Sequence, residues 1–396
     1  MKRNILFAFA LLMLAACGDK KPQNTSGGEN ADSTKVGVAT DEGQAEEEDD
    51  GYDLKAIAKA IEGCEDLGNF SDGLAGVKKN GKVGYIDRKG RTVIPFEYDG
   101  PIQIFSEGIV TVFKGDDNIY MDTSGKELFR TKSFGRYYDG LSAVRENGLI
   151  GFKDKTGKTV ISCDYDYAGE FSDGMCWVTK KDGKIGFIDK TGKLVIPCQY
   201  EWPAERSPRD FHEGLCCVMV EDSHEWFGYI DKTGKRAFPG IYGSESDFHE
   251  GLAYAREVFR NGDSYEWKDG YIDKTGKMVI ELEEDCWGES FCDGVAIVRK
   301  LGNPVYAIDK TGKKVFDIDP QYKQFDHYGD GAWVVWDGTH MGYMDLTGKM
   351  IVPCKYYAYN AFSEGLVALQ DKYQGRWGFA DKEGRTTFDI KIIDKK

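Results

Sequence analysis

Nine aspartates recur at matching positions in this sequence: Asp87, Asp122, Asp154, Asp189, Asp231, Asp273, Asp309, Asp345 and Asp381. A glycine follows each by three residues, at Gly90, Gly125, Gly157, Gly192, Gly234, Gly276, Gly312, Gly348 and Gly384. Carboxylates repeated in this way could serve calcium, which needs several oxygen ligands converging on one ion. Each site, however, supplies one carboxylate, and in Asp189-Lys190-Thr191-Gly192-Lys193 two lysines flank it. That composition repels a cation. The same spacing suits a tight hairpin turn, with Asp accepting backbone N–H groups and Gly supplying positive φ. The turn reading is preferred, and no metal or cofactor is expected.

The other reactive residue types give weaker signals. Nine cysteines follow Cys17. Cys163, Cys198 and Cys354 share one repeat position, and Cys176 and Cys216 share another, so the thiols read as small buried residues. Cys286 and Cys292 are close enough in sequence to pair, although connectivity cannot be read from spacing. No Cys-x-x-Cys or paired-His spacing for zinc occurs. His212 and His249 share a repeat position, and His224, His327 and His340 lack partner motifs. Nothing orients a general base for Cys217 beside His224. Of eight tryptophans, Trp177 and Trp333 fall on expected strands. Trp202, Trp226, Trp267 and Trp287 fall near insertions or turns, where aromatic faces could stack on a sugar or fill a partner's pocket. These four are the candidate ligand contacts, with packing under loops as the competing role.

The elements that position these residues follow from the repeat. Each unit opens with an aromatic, two mostly polar residues and Gly, as in Phe70-Ser71-Asp72-Gly73 and Tyr137-Tyr138-Asp139-Gly140. Later openings begin at Phe171, Phe211, Phe248, Phe291, Tyr328 and Phe362. Three strands are expected per unit: one like Leu74-Ala75-Gly76-Val77, one like Gly84-Tyr85-Ile86, and one ending like Val93-Ile94-Pro95. Longer spacings place insertions at Trp202–Asp210 and Phe259–Trp267, and such loops tend to carry function.

The termini read differently. Lys2 and Arg3 precede the apolar run Ile5–Leu14, which is signal-peptide length and too short to span a bilayer. Leu14-Ala15-Ala16-Cys17 resembles the bacterial lipobox, which implies removal of residues 1–16 and lipidation of Cys17. Residues 17–52 then form an acidic tether, with ten acidic residues against three lysines. Residues 53–67 hold a short capping helix, with Asp53 as its cap, Leu54, Ile57, Ala58 and Ile61 on one face, and Gly63 as its stop. The repeat domain runs over 68–396. The formal net charge of −15 argues against a nucleic-acid partner.

The recurring Phe-x-x-Gly-Leu-Ala, Gly-Tyr-Ile-Asp-Lys-x-Gly-Lys and Val-Ile-Pro resemble the bacterial WG (KWG) repeat family over roughly residues 68–391. The naming Trp-Gly pair survives at Trp377-Gly378, whereas other units carry Val83-Gly84, Ile150-Gly151, Ile185-Gly186, Phe227-Gly228 or Met341-Gly342. Units two and seven lose the Gly, at Ile119 and Tyr306. The resemblance carries over no catalytic residue. The expected fold is all-β, nine three-stranded units stacked into a curved solenoid, with a closed propeller as the alternative. The expected function is a non-enzymatic scaffold, lipid-anchored at the cell envelope with its folded part outside the cytoplasm, binding a protein or glycan. Asp19 stands one residue late for inner-membrane retention, which favours the outer membrane. The alternative is an envelope glycoside hydrolase, which would require two carboxylates facing each other across a groove.

Overall fold

The computed structural model describes residues 51–390 except 133–134, 182, 203–207, 221–225, 245, 262–263, 328–329 and 358–359. The leader, Cys17 and all but the end of the tether lie outside the described residues. Asp53–Lys396 forms one compact unit.

The first repeat sets the plan. It is an antiparallel meander of Asp66–Ser71, Leu74–Lys79, Lys82–Asp87 and Thr92–Tyr98. Among the described residues there are nine such sheets, of two to four strands each. The first strand is the one the sequence hides, because it is short. In several units it shrinks to one bridge across the opening turn, such as Ser106 with Ile109 or His212 with Leu215. The opening Phe-x-(Asp/Glu)-Gly is therefore a two-residue hairpin joining first and second strands. Both turn residues have positive φ, as a type I′ turn requires: Asp173 at 54° and Gly174 at 78°.

This opening turn also fastens each unit to the next. Its carboxylate accepts the N–H of the glycine in the following unit's opening turn. Gly108 donates to Asp72 at 2.8 Å, Gly140 to Glu107 at 2.9 Å and Gly174 to Asp139 at 2.6 Å. Gly214 donates to Asp173, Gly251 to Glu213, Gly294 to Glu250, Gly331 to Asp293 and Gly365 to Asp330. The chain of bonds then returns to its start, because Gly73 donates to Glu364 at 3.2 Å. Aromatic contacts repeat the circuit. The third-strand ring of one unit meets the opening ring of the next, as in Phe187 with Phe211 at 5.0 Å and Tyr271 with Phe291 at 4.8 Å, and Phe379 meets Phe70 at 5.1 Å. Ser71 Oγ donates to Phe105 O, and Ser363 Oγ donates to Phe70 O in the same way.

These contacts correct the expected solenoid. The last unit meets the first through the bonds that join successive units, so the array is a closed β-propeller of small antiparallel sheets, not an open stack of three-stranded units. An open array would leave one unit's carboxylate and one unit's ring without partners. The N-terminal helix changes meaning accordingly. It spans Leu54–Ala60, capped by Asp53 accepting from Ala56 N at 2.9 Å, and the residues from Asp66 on are strand. In the other units the Asp-x-x-Gly turn rests on the segment that follows the same turn in the preceding unit, a fourth strand in all but unit five; Gly192, for example, lies against Ile161, and Gly276 against Phe238. In the first unit Gly90 lies against Ala56 and Ile57 of the helix. The last unit ends in a single helical turn, Thr387–Asp389, instead of a fourth strand. The helix fills that place and closes the ring with buried Ile57, Ala58 and Ile61.

The strand glycine of the motif has a local cause. A Cβ on Gly84 would lie 2.7 Å from Ile94 O, because the fourth strand bulges toward it at Pro95. Units two and seven, which carry Ile119 and Tyr306 instead, keep regular pairing there: Ile119 faces Arg130 and Tyr306 faces Asp317. Neither unit that lacks the glycine has the bulge there, and unit six pairs regularly as well while keeping Gly270, which faces Glu281.

Candidate functional site

An up-and-down meander sorts its turns onto two rims. The opening turns and the Asp-x-x-Gly turns share one rim. The hairpins between second and third strands, and the connections between units, share the other.

On the first rim, the nine aspartates are occupied by their own turns. Asp189 Oδ1 accepts from Thr191 N at 2.9 Å, Thr191 Oγ1 at 2.6 Å and Lys193 N at 3.1 Å, while Gly192 N donates to Asp189 O at 2.9 Å. The Thr191 hydroxyl, more than any other group, holds the Asp189 carboxyl below its usual range. Asp231 with Gly234, Asp273 with Gly276 and Asp345 with Gly348 repeat the arrangement. Asp87 with Gly90 differs in adding an ion pair to Arg91 at 2.7 Å. Among the described residues no cluster of His, Cys, Asp and Glu could hold a metal ion. The lysine after the aspartate reaches back to the preceding unit's opening carboxylate. Lys232 pairs with Asp173 at 2.7 Å, Lys274 with Glu213 at 2.8 Å, and Arg88 with Glu364 at 2.9 Å across the closing junction.

On the second rim, the four candidate tryptophans part company. Trp202 is half-buried between units four and five and packs 5.8 Å from Phe227, so it supports the core. Trp287 sits on the short strand Cys286–Gly288, opposite Arg299. Trp267 lies on the insertion hairpin Leu252–Asn261 and Ser264–Asp273, and Trp226, just before the strand Phe227–Asp231 of the preceding unit, packs against the same hairpin at Tyr265. Alternation places Tyr265, Trp267 and Asp269 on one face, across from Arg260, Val258 and Arg256. Trp267 is 61% exposed and Tyr265 46% exposed. Trp226 lies 5.2 Å from Tyr265. The Arg256 guanidinium sits 6.0 Å from the Trp267 ring and is held by Asp269 at 3.0 Å, which in turn accepts from Tyr254. The result is an exposed aromatic surface beside a fixed arginine and carboxylate. Tyr265, Arg256 and Asp269 were not singled out from the sequence, although the alternation Tyr265-Glu266-Trp267-Lys268-Asp269 was there to find.

A second group, also missed, lies just before the opening turns of units five and six. Asp210 and Asp247 immediately precede the opening aromatics Phe211 and Phe248. Arg209 Nη1 lies 3.4 Å from Asp247 Oδ2, and His212 Nε2 lies 4.0 Å from it. The His212 and His249 rings are 5.2 Å apart. Burial pushes the Asp210 carboxyl up to about 7; the charges of Asp247 and Glu170 add to the shift and Arg209 opposes it. Asp210 Oδ1 and Asp247 Oδ1 are both closed off from solvent. Farther round, Lys153 stands 3% exposed where other units carry Ile, Met or Ala. Its ammonium lies 3.3 Å from Tyr120 Oη and 4.3 Å from that ring, and burial lowers it to about 8. None of the nine cysteines from Cys64 to Cys354 is in a disulfide. His224 lies outside the described residues.

Closure, the repeating opening turns and the bulged fourth strands define a β-propeller built from one recurrent motif. The model for the WG containing repeat matches residues 63–82, 84–116, 150–184, 185–222, 227–257, 270–303 and 341–372, more than half of the chain. The chain belongs to the WG-repeat family. No curated protein matches it by sequence. Among solved structures it is similar to a eukaryotic initiation factor, at 11% identity over 72% of this chain and 86% of that one, with a TM-score of 0.48. It is also similar to the computationally designed Ika8 protein, at 16% identity over 72% and 96%, with a TM-score of 0.41. BamB from Moraxella catarrhalis is similar at 12% identity over 69% and 94%, with a TM-score of 0.38. Likenesses of this size bear on no residue of this chain.

Proposed function

We propose that this propeller is a non-enzymatic scaffold that binds a glycan at the bacterial cell envelope through the aromatic face of its insertion hairpin. The observation that carries the reading is the exposure of Trp267 and Tyr265 on one face beside the Arg256–Asp269 pair. A sugar offers apolar C–H faces to stack on aromatic rings and hydroxyls to bond a guanidinium and a carboxylate. The non-enzymatic part is supported by the state of the carboxylates that approach one another. Asp210 and Asp247 each have an oxygen sealed from solvent, and Asp247 turns its other oxygen to Arg209, an arrangement unlike two carboxylates open to a substrate across a groove.

The test is tryptophan fluorescence of residues 18–396 titrated with envelope glycan fragments. A saturable shift lost in Trp267→Ala and Tyr265→Ala, and kept in Trp287→Phe, is expected. No shift with any glycan overturns the glycan reading and turns attention to a protein partner. Release of reducing ends, abolished in Asp210→Asn, would overturn the non-enzymatic reading.

Lipid anchoring at Cys17, through a leader of residues 1–16 and a tether of 17–52, completes the proposal and favours the outer membrane. Incorporation of a labelled fatty acid, lost in Cys17→Ser, is the expected result. Labelling that survives the substitution overturns the assignment.

A further inference from the structure

We propose that the rim formed by the Asp-x-x-Gly turns is a docking surface for an anionic lipid bilayer. The residue four positions after each turn aspartate is Lys or Arg in all nine units, and it is exposed in all nine. Six of these are Lys158, Lys193, Lys235, Lys277, Lys313 and Lys349. Their backbone N–H groups close the turns, as Lys193 N does on Asp189 at 3.1 Å and Lys349 N on Asp345 at 2.9 Å. The turn geometry therefore fixes where each side chain leaves the surface.

The negative charges of the same rim are turned to other uses. Each turn aspartate accepts from its own backbone, as described above. The opening carboxylates accept a glycine N–H from the next unit, and six of them also hold a Lys or Arg. What the rim offers outward, on a chain of net charge −15, is an arc of lysine ammonium groups, while Arg91 and Arg385 in the first and last units are paired with Asp87 and Asp381.

Closure decides the kind of partner. Nine equivalent turns on a closed ring lie around one rim, so a flat anionic surface meets them together. A linear polyanion crossing the ring would meet a few at a time. Many weak phosphate contacts made at once are how basic surfaces hold anionic bilayers. The path of the chain agrees with this orientation. Asp53 N donates to Arg88 O at 2.8 Å, so the compact unit begins at this rim and not at the aromatic one. The inference does not depend on the glycan reading, which concerns the opposite rim.

The experiment is co-sedimentation of residues 18–396, which contain the whole ring and leave out the leader and Cys17. Vesicles of phosphatidylcholine are compared with vesicles containing about one third phosphatidylglycerol, at about 0.1 M salt, where charges a Debye length apart still interact. Sedimentation with the anionic vesicles alone, reversed by high salt, is expected. Changing the six lysines named above to Gln should weaken it at least tenfold while circular dichroism and the melting curve stay the same. Lys181→Gln with Lys300→Gln, on the opposite rim, should leave it unchanged. Equal sedimentation with both vesicle types, or full binding by the six-lysine variant, overturns the proposal. So does binding of inorganic polyphosphate without any binding of anionic vesicles, which would assign the rim to a soluble polymer.

Discussion

On the rim of the Asp-x-x-Gly turns, unit after unit repeats the same atoms in the same bonds, whereas on the opposite rim the units differ in length and composition. The first rim holds the ring together. Its opening carboxylates tolerate φ near 50°, unusual for Glu213 and Glu250, because each gains a bond to the next unit. The second rim is free of that duty, so a ten-residue hairpin strand and the 202–210 connection can be added without disturbing closure. Repetition marks the part that must fit its neighbours, and departure from repetition marks the part available for recognition.

The comparison is broken most severely at the junctions. Phe211→Ala removes a buried ring between units four and five and should cost about 3–5 kcal/mol in denaturant unfolding. Phe70→Ala removes the equivalent ring at the closing junction. In a closed ring it should cost about as much. A cost below about 1 kcal/mol for Phe70→Ala alone would mean that the ends are not joined as described.

Asp210 gives the next largest effect, in a form that depends on pH. Its carboxyl is raised to about 7 from 3.8, so the folded protein holds a proton that the unfolded chain releases. That contribution is complete below pH 4 and is lost as pH rises through about 7, where the buried charge must form. Asp210→Asn should remove the loss and leave the protein on the order of 2 kcal/mol more stable than wild type at pH 8. Identical pH profiles for the two proteins between 4 and 8 would refute the assignment.

Lys153 works in the opposite sense and somewhat more weakly. Its amine is lowered from 10.5 to about 8, so the folded state disfavours the proton. Stability should therefore rise with pH between about 8 and 10.5, as the unfolded chain keeps a proton that the folded chain has lost. Lys153→Met restores the apolar residue that other units carry. It should stabilise at pH 7 by about 1–2 kcal/mol and flatten that rise. A destabilised Lys153→Met would show that the ammonium and the Tyr120 ring stabilise each other by more than burial costs.

How far the sequence foretold these features depends on how each is encoded. The third strand and the turn after it were legible because Gly-Tyr-Ile-Asp-Lys-x-Gly-Lys combines alternation with a turn signal. The first strand was not, because in most units it amounts to one or two residues before the opening turn, too few to show a period. Without it each unit looked three-stranded, and the propeller seemed short of a strand. Closure was invisible for another reason: Gly73 and Glu364 are 291 residues apart, and nothing local marks them as neighbours. Proximity to an insertion was a fair guide to Trp226 and Trp267 and a poor one to Trp202, whose ring turns inward against Phe227. Lys153 was readable in principle, as one charged residue in a column of Ile, Met and Ala.

The smallest predicted effect separates the rims most sharply. Trp267→Ala removes a ring as large as any in the core, yet that ring is mostly in solvent and its main neighbour, Arg256, keeps its bond to Asp269. Its cost in stability should stay within about 0.5 kcal/mol, as for other exposed positions. Against the several kcal/mol expected for Phe211→Ala, that would mean the hairpin keeps a large aromatic surface for something other than folding. A Trp267→Ala protein destabilised by more than about 2 kcal/mol would instead make the aromatic face part of the packing, and the distinction between the rims would fail at the residue chosen to carry it.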